Sequence, residues 1–248
     1  KSSAVALFQK SVSPMYTAIT ANAYNMAERL MRYNDFQEME QCLAGDTLIA
    51  VPGGFKKIED LAAEGVDKEF VVYAYDHNQK QIVPALAKQA RQTCVEHAFK
   101  VTFDDGRHII GSAQHRLLKR DGHFCEIQDL KEGDAMMPFY RCDLRSGRAD
   151  ARGYQWIYSM DRASSKSGWN LEHRMLAQWV MGRSLTSNEV VHHINHVPRD
   201  NSLENLLVMT KDDHARLHRA DSMKANAEWI SRFKAQQSRF MTDHNPAE

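Results

Sequence analysis

Val190-Val191-His192-His193, a loop rich in Asn, Asp and Pro, then Leu206-Leu207-Val208-Met209 and a segment carrying His214 and His218 read together as a β-hairpin followed by a helix. The two apolar, partly β-branched runs have the character of strands. Thr210 is placed to cap the helix, with Asp213 three residues on, and the acids of its first turn suit the positive end of a helix dipole. Four residues apart, His214 and His218 project from one helix face. Such a pair can converge on a metal ion with a histidine from the strand. A lone histidine is more often a solvated or core residue, but an adjacent histidine pair with Asn205 at the loop's end points to a metal-assisted site.

The stretch resembles the HNH, or ββα-metal, nucleases, particularly phage and homing endonucleases with a V-V-H-H-x-N … N-x-x-x-N-L … H-x-x-x-H pattern. The likeness extends upstream through Glu172-His173-Arg174-Met175-Leu176 and Gly182-Arg183-Ser184-Leu185. It implies that His192 is a metal ligand, that His193 is the general base for the attacking water, and that Asn205 holds the loop and orients that base. His214 would supply a second ligand, with His218 a further candidate ligand and Asn201 a weaker loop candidate. A divalent ion stabilises charge on the phosphate and leaving oxygen, while an imidazole near neutrality takes the water's proton. Magnesium or manganese suits an oxygen-rich phosphate site, and extra histidines would also bind zinc. His196 stands where such nucleases commonly carry glycine, and its role is open.

Around this unit, Glu172 to Met181 reads as a helix with Leu176, Trp179 and Val180 inward and Gly182 ending it. Tyr154, Trp156, Tyr158 and Trp169 suit core packing better than DNA stacking. Contacts to double-stranded DNA are expected from Arg174, Arg183, Arg199 and Arg216, whose guanidinium groups can fork onto phosphates. Two modest basic stretches, Arg141 to Arg152 and Lys224 to Arg239, flank the unit and read equally as solvated faces or linkers.

At Cys42 the texture changes to strands and turns. Cys-Leu-Ala-Gly-Asp-Thr precedes a Pro52-Gly53-Gly54 turn and Lys57-Ile58-Glu59-Asp60-Leu61. Strands are expected at Phe70–Tyr75, at Ala98–Phe103 with an Asp105-Gly106 turn, and at His108–Ile110. Ser112-Ala113-Gln114-His115 and Asp129-Leu130-Lys131-Glu132-Gly133-Asp134 follow. A single cysteine in such a domain is by default a small buried hydrophobe. The order of these blocks, however, resembles the N-terminal splicing region of inteins and other Hint-fold proteins. That resemblance implies that Cys42 attacks the carbonyl of Gln41 to form a thioester, that His115 protonates the departing nitrogen, and that Ser112 holds the scissile peptide.

Before Cys42, Met15, Ile19, Ala23, Met26, Leu30 and Met31 fall at helical spacing after Pro14, and a helical piece is expected. The run Arg32 to Glu40 resembles portal proteins of contractile-tailed phages. Ser222 to Phe240 reads as an amphipathic helix. His244-Asn245 mimics the end of a splicing element, but Pro246 offers no acyl acceptor and no strand precedes it, so splicing in this chain is expected to be incomplete. The first residue is Lys rather than Met, which suggests a piece of something longer.

With 248 residues, 43% of them hydrophobic, the chain can bury a real core. Its zero net charge gives no support to nucleic-acid binding by bulk charge. Four cysteines without a C-x-x-C pair or secretory signal suit reduced thiols, and no apolar run is long enough to span a membrane. The expected organisation is mixed α+β and multidomain: a helical portal-like extein over 1–41, a β-rich, horseshoe-like Hint half-domain over 42–145, an HNH unit over 150–220, and a helical tail over 221–248. The expected function is intein-encoded nicking of DNA in the cytoplasm of an infected bacterium, with a C-terminal intein fragment as a partner in trans. The alternative is the N-terminal half of a split or decayed intein with no active nuclease.

Overall fold

The computed structural model describes residues 4–5, 10–21, 42–142, 144–145, 148–149, 153–161, 165–219, 231 and 235. The chain separates into two compact units, residues 1–80 with 85–139, and residues 81–84 with 140–248.

The first unit is built on β1 (Ala4–Val5), β2 (Lys10–Ala21), β3 (Leu43–Ala44), β4 (Leu48–Val51), β5 (Gly54–Lys57), α1 (Ile58–Ala63), β6 (Phe70–Asp76), β7 (Gln81–Phe103), β8 (His108–Gly111), β9 (Arg116–Leu118) and β10 (Phe124–Glu126). Strand β7 organises the main sheet, pairing with β1, β2, β6 and β8. The tight turns fall where the sequence placed them. Gly53 takes a φ of +77° between β4 and β5, and Gly106 a φ of +83° between β7 and β8, conformations that a Cβ disfavours. Ile58 and Leu61 plug α1 into the unit. Val101, Ile127, Leu130 and Met136 form a buried cluster flanked by Phe99, Phe103, Ile109 and Leu117.

The helix expected from Ser13 onward is not what forms at its start. Residues Lys10–Ala21 are strand β2, antiparallel to β7. Val12, Thr17, Ile19 and Thr20 are β-branched and favour extended backbone, and Pro14 cannot donate within a ladder. The register slips between Met15 and Tyr16, just beyond that proline, and again between Thr17 and Ile19. Residues 22–41, with the portal-like run, lie outside the described residues. So does most of the expected C-terminal helix, of which Ser231 and Ala235 are helical.

In the second unit, β11 (Arg141–Cys142), β14 (Trp156–Tyr158) and β15 (Trp169–Leu171) form a three-stranded sheet, and β12 (Leu144–Arg145) pairs with β13 (Arg148–Ala149). Helix α2 (Glu172–Met181) follows, and Gly182 ends it with a left-handed φ of +63°. The expected hairpin is β16 (Glu189–His193) against β17 (Leu206–Thr210), leading into α3 (Lys211–Arg219). Thr210 caps α3 as expected: its Oγ1 accepts the Asp213 N–H at 3.1 Å and donates to Asp213 Oδ2 at 2.7 Å. Leu176, Ala177 and Val180 of α2 are buried, as are Leu206 and Leu207 of β17. Full burial of each of these leucines stabilises the unit by about 1.5–3 kcal/mol. Among the described residues no helix is long and apolar enough to cross a membrane.

Candidate functional site

Strand β16 carries His192 and His193 next to each other, and successive strand residues face opposite sides of a sheet. Opposite them on β17 are Leu207 and Leu206. One strand therefore serves two faces of the hairpin. On the α3 side, His192 sits with ring centroids 5.3 Å from His214 and 5.4 Å from His218. On the α2 side, His193 lies 5.2 Å from His173 and 5.8 Å from Tyr154.

The potential ligand atoms of His192, His214 and His218 all lie within 4.8 Å of one another. Burial, and then the neighbouring His214, His196 and His218, push the His192 imidazole down to about 4. Burial followed by His218 lowers His214 as well. Metal ligation needs neutral imidazole, so a site that disfavours the protonated form of both residues fits a divalent ion.

His196 adds a fourth imidazole at the rim, 5.1 Å from His192 and 5.9 Å from His218 between ring centroids. Its backbone is left-handed, with φ +59°. A non-glycine residue held there carries about 1–2 kcal/mol of strain. His196→Gly is therefore expected to leave the fold's stability unchanged or raise it by up to about 1 kcal/mol, and His196→Val to lower it. Urea midpoints of the two variants check this, and a His196→Gly protein clearly less stable than wild type contradicts it.

The two asparagines divide the work differently from the sequence reading. Asn205 braces the loop: Oδ1 accepts the Asn195 N–H at 2.9 Å, and Nδ2 donates to the Asp200 carbonyl at 2.7 Å. It does not orient His193. That contact belongs to Asn201, whose Oδ1 lies 3.0 Å from His193 Nε2 and whose Nδ2 donates to Glu172 Oε2 at 2.6 Å. Glu172 in turn accepts from Arg141 Nη2 at 2.6 Å. Arg141, read from sequence as part of a basic linker, is thus a buried ion-pair partner. A signal for Glu172 existed: it lies four and eight residues before Leu176 and Val180, on the buried stripe of α2, where a charge requires a partner.

The expected DNA-contacting arginines fare unequally. Arg183 is engaged by Glu189 through two bonds of 2.8 and 2.7 Å, and this guanidinium, with the Thr186 N–H, pulls the Glu189 carboxyl down to about 2. Arg183 therefore fixes the entry to β16. Arg216 is exposed, 3.6 Å from Asp213. Arg199 is exposed on the loop and Arg174 is half-buried on α2. Tyr158 packs against Trp169 at 5.5 Å and Trp156 is buried, as expected of core aromatics.

In the first unit, hydrogen bonds link Cys42 to Ser112 and the main chain of Ser112 to that of His115. The Cys42 N–H donates to Ser112 Oγ at 3.2 Å, and the Ser112 N–H donates to the Cys42 carbonyl at 2.9 Å. Cys42 Sγ lies 3.1 Å from Thr93 Oγ1, a neighbour that no motif revealed. The His115 N–H donates to the Ser112 carbonyl at 3.1 Å. Gly111 lets these elements close up: a Cβ there would sit 2.8 Å from Ile127 Cδ1 and 3.2 Å from the Cys42 carbonyl oxygen. Gly111→Ala is expected to cost about 1–3 kcal/mol, read as a lowered denaturant midpoint. Cys42, Cys125 and Cys142 are present as thiols.

The sequence profile of the HNH endonuclease family matches residues 171–216, from the start of α2 into α3. The match supports an HNH endonuclease domain acting on DNA; it contains His192 and His214, and with His218, two residues beyond its end, these form a triad that can hold a metal ion. Two curated proteins resemble the chain over longer stretches. A DNA gyrase subunit of Synechocystis sp. is 27% identical over 188 residues, covering 72% of this chain and 17% of that protein. The replication factor C small subunit of Methanocaldococcus jannaschii is 29% identical over 125 residues, covering 49% of this chain and 7% of that protein. The chain spans a minor part of both.

Proposed function

We propose that the chain is an intein-type element in which an HNH homing endonuclease accompanies a protein-splicing region, and that its nuclease hydrolyses phosphodiester bonds of double-stranded DNA. The observation that carries the nuclease reading is the adjacent pair on β16: His192 joins His214 and His218, and the next residue, His193, is held by Asn201. His193 takes a proton from water, the resulting hydroxide adds to phosphorus, and the bond from phosphorus to the leaving sugar oxygen breaks. The leaving alkoxide takes a proton from solvent. His192, His214 and His218 would hold a divalent ion, which when bound would supply Lewis-acid stabilisation of charge on the phosphate. Three nitrogen donors shift the preference from magnesium toward manganese and zinc. One such site acts on one strand at a time, so nicking is the expected product.

The splicing reading rests on the grip on the Cys42 nitrogen. Sγ of Cys42, its thiol proton given up to solvent, adds to the Gln41 carbonyl to form a thioester, and the Gln41–Cys42 C–N bond breaks as the Cys42 nitrogen leaves with a proton from His115. Ser112 Oγ already holds that nitrogen's N–H. Segments similar to this chain form small fractions of two proteins whose names describe different machines, which favours an element inserted into hosts over a domain of either one.

The test is incubation of the full chain with supercoiled plasmids carrying random inserts. Relaxed circles are expected with manganese and none with a chelator. Removal of the triad by His214→Ala should raise the manganese needed for half-maximal nicking at least tenfold. No relaxed circles with manganese would sink the nuclease reading, and nicking that survives chelation would sink its metal dependence.

A further inference from the structure

We propose that Glu172, clamped by Arg141, sets the tautomer of His193 through Asn201 and thereby makes Nδ1 the basic nitrogen. This rests on the reading of His193 as the general base. Its four members are withdrawn from water: the Arg141 side chain is 6% exposed, Glu172 0%, Asn201 0% and His193 5%. In such surroundings two donors or two acceptors facing each other are costly, so each contact among the four pairs a donor with an acceptor.

The direction of every hydrogen bond then follows from the carboxylate. Glu172 paired with a guanidinium is an acceptor only, taking one bond from Arg141 Nη2 at Oε1 and another from Asn201 at Oε2, both at 2.6 Å. Asn201 has donors only on Nδ2, so that nitrogen must face Glu172 and its Oδ1 must face His193. An oxygen acceptor 3.0 Å from His193 Nε2 requires the hydrogen to be on Nε2. A neutral imidazole with its proton on Nε2 carries its lone pair on Nδ1. Glu172 and Arg141 touch no reacting atom. They are positioning residues, acting through Asn201.

The same logic makes a sharp forecast for Glu172→Gln. Arg141 still donates to the oxygen of residue 172, so the new amide NH2 turns toward Asn201. Asn201 must then reverse, offering Oδ1 to residue 172 and Nδ2 to the ring. His193 Nε2 becomes an acceptor, and its proton moves to Nδ1. One substitution two residues removed from the base inverts which nitrogen is bare.

The experiment is nitrogen-15 NMR of histidine-labelled full-length protein, with the His193 signals assigned by their loss in His193→Ala. Wild type is expected to show a protonated Nε2 and a bare Nδ1, and Glu172→Gln the reverse. Alongside, kcat for nicking should fall about 10²-fold or more in Glu172→Gln, with KM unchanged. Glu172→Gln leaves a buried guanidinium without a carboxylate, so the double variant Arg141→Met, Glu172→Gln stands in if the single one fails to fold. There both amide orientations are open, and a mixture of tautomers is expected. A wild-type ring protonated on Nδ1, or one tautomer common to wild type and variants, overturns the proposal. Inversion of the tautomer with undiminished nicking upholds the relay and removes His193 as the base instead.

Discussion

His193→Ala is expected to slow DNA nicking by about 10²–10⁴-fold, the range that a general base contributes, while metal binding persists. The ligand set His192, His214 and His218 does not include His193, so its imidazoles keep their places. Alanine also leaves Asn201 Oδ1 without its ring partner in a buried position, at a cost of about 1–3 kcal/mol. His193→Gln is the better-folded control, because its amide can still donate toward Asn201 yet has no basic nitrogen. Both variants should be equally inactive. The pH profile gives a second reading. Burial lowers the His193 imidazole, against smaller opposing effects from the Asn201 hydrogen bond and the Asp200 charge. The neutral ring is the working form, so kcat/KM should hold constant as pH falls through the ordinary imidazole value near 6.5 and decline only below it. A decline beginning above that value contradicts the assignment.

Cys42→Ala should abolish thiol-induced scission at the Gln41–Cys42 bond outright while leaving nicking intact. The wild-type chain treated with dithiothreitol is expected to release a fragment ending at Gln41, detected by mass spectrometry. Without Sγ there is no nucleophile for the acyl shift, and no other described thiol shares the Ser112 grip on that peptide nitrogen. Ser112→Ala should slow release without ending it, because it removes one hydrogen bond to the departing nitrogen and not the nucleophile. Structural damage is a poor explanation for loss in Cys42→Ala. The side chain is small, packed against Ala98 and Ile110, and its truncation costs on the order of 1 kcal/mol. Equal release from wild type and Cys42→Ala would remove the splicing assignment and leave the nuclease reading untouched.

The local chemistry of the chain was legible from its letters. The hairpin, the Thr210 cap, the Gly182 stop and the turns at Gly53 and Gly106 follow from residue types acting within a few positions of one another. What was not legible depends on which groups meet across the fold. The resemblance favours Asn205 over the weaker candidate Asn201 for orienting the base, and only the loop's path decides that Asn205 braces the loop while Asn201 meets the ring. Arg183 looked available for phosphate, yet Glu189 lies within its reach. Arg141 and Glu172 are 31 positions apart and belong to different motifs. The N-terminal strand was misread because apolar spacing alone cannot tell a helix from a strand that a long partner such as β7 recruits.

The short run Gln81–Pro84 has a consequence for how such an element can be trimmed. It groups with residues 140–248 although β7 continues without a break into the first unit, and the Ile82 N–H donates to the Ser159 carbonyl at 2.8 Å. The second unit is therefore discontinuous along the gene. A single deletion of codons 140–219 leaves Ile82, buried at 6% exposure, without its main-chain acceptor. Conversely, a gene fragment beginning at codon 140 encodes the second unit without residues 81–84. A stand-alone version is better made by circular permutation, with Gln81–Pro84 rejoined through a short linker, than by truncation.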